Sequence, residues 1–397
     1  MKRIKIVSAL VGLVALATLA VKDAVWKHAL PSVYASAGQY TITELGTLGG
    51  TVGSADSIND KGWVAGFANL PGDREEHAVL WLNGGIADLG TLPGGPNSSV
   101  GFPAKNNQGI LVGFSQTSDS DPLREGWNYT CTPSGHRCQG TNLITLGFVW
   151  QKGVMTSLPT LGGNISEAFG VNNLGQVVGF AETKTQGVNC VRPQMLDYEA
   201  VMWNPNGDVQ ATLLPFPGDS VSAAVGINDN GQIVGGSGPC APLSPAIGVH
   251  AVLWQNGSTT ATDLGNLGGS TNNVAFSING QGQIVGFSGL PGNATAHAFI
   301  WQNGIMTDLG TLFGDVFSLA FSINDNGQVV GESCNAKGTC RAFLWQNGAG
   351  MLDLNTLVAS GTLRLLSAQD INHQGQIVGQ AFDQNTGNTI GFLATPE

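Results

Sequence analysis

The sequence predicts an all-β fold: a seven-bladed β-propeller of four-stranded blades, with the last blade closed by the N-terminal strand. Three observations lead there. One pattern recurs seven times between residue 40 and the C-terminus. Each copy divides into four short strands by alternation and turn punctuation. The two ends of the array are complementary, a fourth-strand text at the start and a copy that stops after its third strand at the finish.

The repeat is sought first, because missing it mis-reads the whole fold. Residues 309–347 show it as "LGTLFGDVFSLAFSINDNGQVVGES", an insert, and "RAFLWQNG"; residues 264–304 repeat it as "LGNLGGSTNNVAFSINGQGQIVGFS", an insert, and "HAFIWQNG". The asparagine of the "IN" step stands at Asn59, Asn172, Asn228, Asn279, Asn324 and Asn372, with Asn106 at its place in a degenerate second copy. A closing tryptophan follows at Trp81, Trp150, Trp203, Trp254, Trp301 and Trp345, and Ala394 replaces it in the seventh copy.

Within a copy, "LAFSIN" reads as a small-residue strand and "DNG" as a hairpin turn, since Asn-Gly tolerates positive φ. "GQVVGES" is the second strand, "RAFLWQ" the third with "QNG" as another turn, and "AGMLDLNTL" the fourth. A β-solenoid would need rungs of nearly constant length, whereas the spacing varies widely between Asn106–Asn172 and Asn279–Asn324. A propeller absorbs such variation in loops at one rim. The last copy ends at "IGFLATPE", and "YTITELGTL" near the start matches the fourth-strand text "GIMTDLGTL" of residues 304–312. Pairing the two removes two open sheet edges.

The combination of "LGTLGG", "IND.GQ.VG" and "HAFIW" over roughly residues 40–397 resembles the HAF-type extracellular repeat family. Copy two lacks the histidine and copy seven the tryptophan. The resemblance implies an exported repeat protein and no established activity.

Composition agrees with a folded β-protein. Of 397 residues 58 are glycine, 42% are hydrophobic and only 11% charged, which excludes a disordered chain. The first 37 residues read as a signal peptide: Lys2, Arg3 and Lys5 precede an apolar run from Ile6 to Val21, and Ala35-Ser36-Ala37 offers small residues for cleavage. The run is short for a membrane anchor, so the expectation is a secreted or periplasmic domain of residues 38–397, without a membrane once cleaved and monomeric. That domain keeps eleven basic against twenty-six acidic side chains, a net −15, which argues against a nucleic-acid partner.

Six cysteines suit an oxidising compartment, and all lie between the second and third strands of their copies. The expected pairs are Cys131–Cys138, Cys334–Cys340 and, between adjacent blades, Cys190–Cys240. His77, His250 and His297 share one third-strand position and read as repeat structure rather than as zinc ligands. The Asp-bearing turns offer too few oxygens for calcium, so no metal and no cofactor is expected. The tryptophans read as core packing and Trp63 as a surface variant.

No catalytic motif is present. Copies two, three and four carry longer inserts (116–145, 181–198, 237–249), which should form one raised lobe on a single rim. The lobe gathers what the repeats lack: Arg124, Trp127, Tyr129, His136, Arg137, Arg192 and Tyr198. This mixture suits a glycan face. The expected function is a binding module for a glycan or an extracellular protein. The rivals are a propeller hydrolase or lyase acting on a polysaccharide, and a structural envelope component.

Overall fold

The computed structural model describes residues 40–101, 106–125, 142–187, 190–241, 248–359 and 361–397; the expected signal segment lies outside them. Seven four-stranded antiparallel sheets form a seven-bladed propeller. Blade 6 shows the unit: first strand Phe317–Ile323, second Val329–Cys334, third Cys340–Gln346 and fourth Gly350–Asp353. The first strand of each blade is innermost, and the first strands of adjacent blades meet from blade 3 round through blade 7 to blade 1.

Two recurring residues explain the unit. The glycine of "VG" faces the first strand where its register shifts, between Ala320 and Ser322 in blade 6. A Cβ on Gly331 would lie 1.9 Å from the Leu319 carbonyl oxygen and 2.8 Å from the Phe343 ring. Only glycine fits there. The "IN" asparagine ends the first strand and folds the turn: Asn324 Oδ1 accepts from the backbone N–H of Asn326 and of Gln328, both at 3.0 Å.

That asparagine does more than turn chemistry requires. Its Nδ2 donates to the backbone carbonyl of its counterpart in the next blade. Asn59 reaches Asn106 (3.0 Å), Asn106 Asn172 (2.7 Å) and Asn172 Asn228 (3.1 Å). Asn228 reaches Asn279 (2.9 Å), Asn279 Asn324 (3.1 Å) and Asn324 Asn372 (3.0 Å). Asn372 returns to Asn59 (3.1 Å) and closes the ring. All seven asparagines are buried.

Blades are also pinned by serine. Ser98, Ser166, Ser222 and Ser318 each accept from a third-strand N–H of the preceding blade (Ala78, Gly147, Ala200 and Ala298, 2.8–3.1 Å). The tryptophans pack between sheets as expected. Trp203 and Trp254 are fully buried. Three indoles donate to a carbonyl just past the outer strand of the preceding blade: Trp81 to Gly46, Trp203 to Pro159 and Trp254 to Leu214. Trp63, in contrast, is half-buried against the core shared by blades 1 and 2, and its ring lies over Gly109. The expectation of a surface variant is corrected: glycine opposite leaves a slot that the ring fills.

The last blade has the strand order Tyr40–Leu45, Thr389–Pro396, Ile377–Asp383, Leu363–Ile371, so the N-terminal strand closes it. Tyr40 lies opposite Pro396 and Leu45 opposite Gly391. Ala394 faces Ile377 as Trp345 faces Val329, which places it at the missing tryptophan's position. Asp370 supports the closure from within: it accepts from Ser322 of blade 6 (2.5 Å) and from the Ile58 N–H of blade 1 (2.9 Å).

Candidate functional site

The rim between second and third strands departs most from the repeat. Second strands have six or seven residues in five blades, but Ile110–Ser120 has 11 and Val177–Gln186 has 10. Inserts two and three therefore begin as extensions of the sheet, paired as far as Ser120 with Leu143 and Gln186 with Leu196.

Asp121 then turns the chain. Its carboxylate accepts from the N–H groups of Leu123 (3.0 Å) and Glu125 (2.6 Å), and the turn leaves Arg124 exposed with φ 53° and Glu125 1% exposed. Glu125 Oε1 accepts from the backbone N–H of Met195 (2.8 Å) and Leu196 (2.7 Å) in the next insert. Gln194 Nε2 lies among Glu125 Oε1 (3.3 Å), Glu182 Oε1 (2.8 Å) and the Leu196 carbonyl (2.7 Å). Glu182 Oε2 accepts from Asn164 and Ile165 N–H (3.1 and 3.0 Å). Burial, reinforced by the Glu125 charge, pushes the Glu182 carboxyl well above the usual carboxylate range.

Insert three is joined in turn to insert four. Cys190 and Cys240 form a disulfide, and the Val191 N–H donates to the Cys240 carbonyl (2.9 Å). Tyr198 donates its hydroxyl to the Ala241 carbonyl (2.9 Å) and stacks edge-on against Phe180 at 5.3 Å. Described parts of three inserts thus form one chain of contacts across blades 2, 3 and 4.

Polar groups under this rim are incompletely paired. Among the described residues, five buried side-chain atoms have no hydrogen-bond partner: Asn69 Oδ1, Glu76 Oε2, Glu125 Oε2, Thr145 Oγ1 and Gln194 Oε1. All five belong to the second-to-third-strand end of blades 1, 2 and 3. Burial, with the Asp56 charge, raises the Glu76 carboxyl to about 8.

The residue three before each clasp asparagine is the one that the pairing of first and second strands skips in blade 1 and in blades 3 to 7. Polar Gln369 and Asp56 hold this place in blades 7 and 1; Phe169, Val225, Phe276 and Phe321 hold it in blades 3 to 6. Phe276 packs on Phe287 (5.4 Å) and Phe321 (5.8 Å). The skipped residue is therefore apolar in blades 3 to 6 and polar in blades 7 and 1. Burial raises Asp56 to about 7, against the hydrogen bond from Ser54, and raises Glu167 to about 8.

Of the residues expected from sequence, Arg124 and Arg192 are exposed on the rim. Trp127, Tyr129, His136, Arg137 and the Cys131–Cys138 pair lie outside the described residues. Tyr198 is a correction: it is 2% exposed and its hydroxyl is spent on Ala241, so it packs and anchors the rim instead of facing a ligand. The disulfides Cys190–Cys240 and Cys334–Cys340 are formed. His77 and His297 bond the fourth-strand aspartates Asp88 (2.9 Å) and Asp308 (3.0 Å), as Arg341 bonds Asp353 (2.8 Å). His250 bonds Asp219 instead (2.8 Å). The metal-type groupings among the described residues, Cys190–Asp197–Cys240 and Glu332–Cys334–Cys340, each hold both sulfurs in a disulfide and offer no thiolate.

Sequence reasoning missed Glu125, Glu182, Gln194 and Glu76. One signal was available. At the third residue past the "VG" glycine the blades carry Asn69, Gln116, Glu182, Gly238, Gly289, Cys334 and Phe382, and an acid in that strand position has to be buried.

Several solved structures are similar to the chain. An acylaminoacyl peptidase from Pyrococcus horikoshii matches with TM-score 0.46 and 11% identity, over 83% of this chain and 49% of that one. The gluconolactonase XC5397 of Xanthomonas campestris matches with TM-score 0.35 and 9% identity, over 64% of this chain and 82% of that one. A PQQ-bound aldose sugar dehydrogenase from Streptomyces coelicolor matches with TM-score 0.37 and 11% identity, over 91% and 99%. The chain spans about half the length of the peptidase. These likenesses concern the fold alone. No family model and no curated protein matches the chain.

Proposed function

We propose that this protein is an exported binding module of the HAF-repeat kind, taking a glycan on the insert-bearing rim of blades 2 to 4. One observation carries the reading: the inserts are moored to one another by a disulfide, by Tyr198 and by Glu125, not left as independent loops. Ordering long loops costs conformational entropy, and a rim ordered at that cost is a scaffold for recognition. Arg124 and Arg192 give it exposed positive charge on an acidic protein, which suits a glycan bearing carboxylates or sulfates. Two disulfides suit export, and among the described residues no helix is long and apolar enough to cross a membrane.

The test is a glycan array probed with the mature domain, beside a variant with 116–145 cut to the length seen in copy five. Loss of binding in the variant supports the reading; equal binding places the site elsewhere, first at the axial passage.

A second reading, a hydrolase or lyase acting on a polysaccharide, is favoured by Asp56, Glu76 and Glu167. Carboxyls raised to about 7 or 8 are protonated near neutral pH, as a general acid must be. Release of reducing ends or unsaturated products from the bound glycan would select it.

A further inference from the structure

We infer that Phe313 of blade 6 is a stacking platform for a carboxylate-bearing sugar ring. The inference rests on the glycan reading and adds a subsite to it. Phe313 is fully exposed (101%), and Val316, three residues on, is 42% exposed. A phenyl left wholly in water buries nothing and contributes nothing to the fold.

The turn that carries it does not call for it. The Asp315 N–H closes that turn on the Leu312 carbonyl (2.9 Å), with Gly314 at φ 86°. Blades 2 and 4 build the same turn, closed from Gly95 to Leu92 (3.0 Å) and from Asp219 to Phe216 (2.9 Å). They place Pro93 and Pro217 where Phe313 stands, and proline is what a turn of this kind favours there.

The backbone beneath the ring is pinned. Arg341 Nη2 donates to the Phe313 carbonyl (3.1 Å) and to Asp315 (2.8 Å), while its Nη1 donates to Asp353 (2.8 Å). The Leu312 N–H donates to Ser333 Oγ (3.0 Å) and the Val316 N–H to the Cys334 carbonyl (2.9 Å). The Thr295 hydroxyl of blade 5 donates to the Val316 carbonyl. A rigid aromatic with no packing role is suited to be an anchor, because a ligand that covers it has little left to order. The rim is also the same one. Phe317 lies opposite Cys334 and Cys334 opposite Cys340, so the turn before Phe317 sits at the second-to-third-strand end of its blade.

The surroundings select the ligand. Beside the turn, the loop closed by Cys334–Cys340 exposes Ala336, Lys337 and Thr339. Lys337 has no ion pair among the described residues. Asn335 uses its Oδ1 to accept from the Lys337 and Thr339 N–H groups (2.9 and 3.1 Å), and its Nδ2 is bonded to none of the described residues. A protein interface centred here would need a contiguous apolar patch, whereas a lysine and an amide frame this ring. A pyranose has C–H groups on its face and hydroxyls at its edge, which matches one aromatic in a polar frame. The free Lys337 on an acidic protein selects a ring that bears a carboxylate.

The test titrates the full exported chain calorimetrically with galacturonate hexamers, then with cellulose-type glucose hexamers. The parent should bind galacturonate, and glucose more weakly. Phe313→Ala should weaken galacturonate about tenfold with Tm unchanged, while Phe313→Trp retains it. Lys337→Gln should weaken galacturonate and leave the glucose hexamer as it was. Ile305→Ala, an apolar residue 69% exposed at the opposite end of blade 5, should change neither. Parent-like galacturonate affinity in Phe313→Ala overturns the inference, leaving the phenyl to a protein partner and the insert rim as the glycan site. A parent that binds neither hexamer overturns it as well, and the glycan array then decides the rim reading separately.

Discussion

The side-chain amide of Asn372 donates to the main-chain carbonyl of Asn59 at 3.1 Å, across 313 residues of sequence. It is chemically the same bond that joins Asn279 to Asn324 inside the array. The seam where the two chain ends meet therefore carries the same clasp as any internal blade interface. Each clasp gives one carbonyl of the neighbouring blade a buried second donor, beside the N–H of its own turn, and satisfies two part-buried N–H groups of the asparagine's own turn. Replacing Asn372 or Asn279 by Ala removes three hydrogen bonds, leaves two turn N–H groups without their acceptor and should cost about 2–3 kcal/mol in each case. Chemical denaturation of the two variants compares them. A much smaller loss at Asn372 would mean that the ring is open at the seam.

The N-terminal strand should be needed for cooperativity. Deleting residues up to Leu48 removes the strand Tyr40–Leu45, bares the edge of Thr389–Pro396 and takes away Gly46, the acceptor of the Trp81 indole. The truncated protein should melt lower and over a broader range, and aggregate through the free edge. A truncation that melts with the parent would separate closure from stability.

These two features were legible in the sequence for a physical reason. The clasp asparagine, the "VG" glycine and the tryptophan are each imposed by geometry that recurs with every blade, so the text recurs. The end strand was legible because it must do what every fourth strand does. Glu125 and Gln194 were not: they lie in inserts without periodicity, 69 residues apart, and meet only because blades 2 and 3 are adjacent. Tyr198 misled for a related reason. An aromatic in a non-repeat segment resembles a binding residue until its strand partner and the Ala241 carbonyl place it inside.

The disulfides should differ in worth. Cys190–Cys240 spans 50 residues and Cys334–Cys340 only 6. On loop-closure entropy the first should stabilise by about 4 kcal/mol and the second by about 2 kcal/mol. Paired Cys→Ser variants of each bridge, compared by urea unfolding, test the order. Equal losses would show that strain or residual unfolded structure outweighs the entropy.

The closing blade should also respond to pH. His373 donates to Asp60 of blade 1 and Asp325 of blade 6, both at 2.8 Å. Burial alone would lower the imidazole, but those two aspartates outweigh it and raise it above 6.5. Asp60 is held below 3.8, where the bonds from Asn107 and His373 outweigh burial. The histidine's contribution is complete below its ordinary value and is lost as pH rises through the raised one. The aspartate's is present above its ordinary value and is lost as pH falls through the lowered one. Stability from this latch is thus greatest between roughly pH 4 and 6.5. His373 is half exposed, so the effect is about 0.5–1 kcal/mol. His373→Asn should lose more stability at about pH 5.5 than at about pH 8.5; equal losses at both would remove the latch.

The last prediction concerns how the rim recognises a ligand. Arg124 and Arg192 are exposed on adjacent inserts, whereas Glu125 beside the first and Gln194 two residues past the second are buried anchors. The alternation separates holding from presenting. Arg124→Ala with Arg192→Ala should leave the unfolding free energy within about 0.5 kcal/mol of the parent, as surface changes do. The same double variant should weaken an anionic glycan by about 2 kcal/mol or more, since two charge-assisted contacts are lost, and flatten the salt dependence of binding. Tyr198→Phe should behave in the opposite way. Leaving the Ala241 carbonyl unpaired in a buried setting costs about 1–3 kcal/mol of stability, with little direct effect on affinity while the protein stays folded. Calorimetric binding and denaturant unfolding on the same samples separate the two effects. If the arginine pair proves silent in binding while Tyr198→Phe abolishes it without loss of stability, recognition lies in the interior of the rim and the exposed face is only its cover.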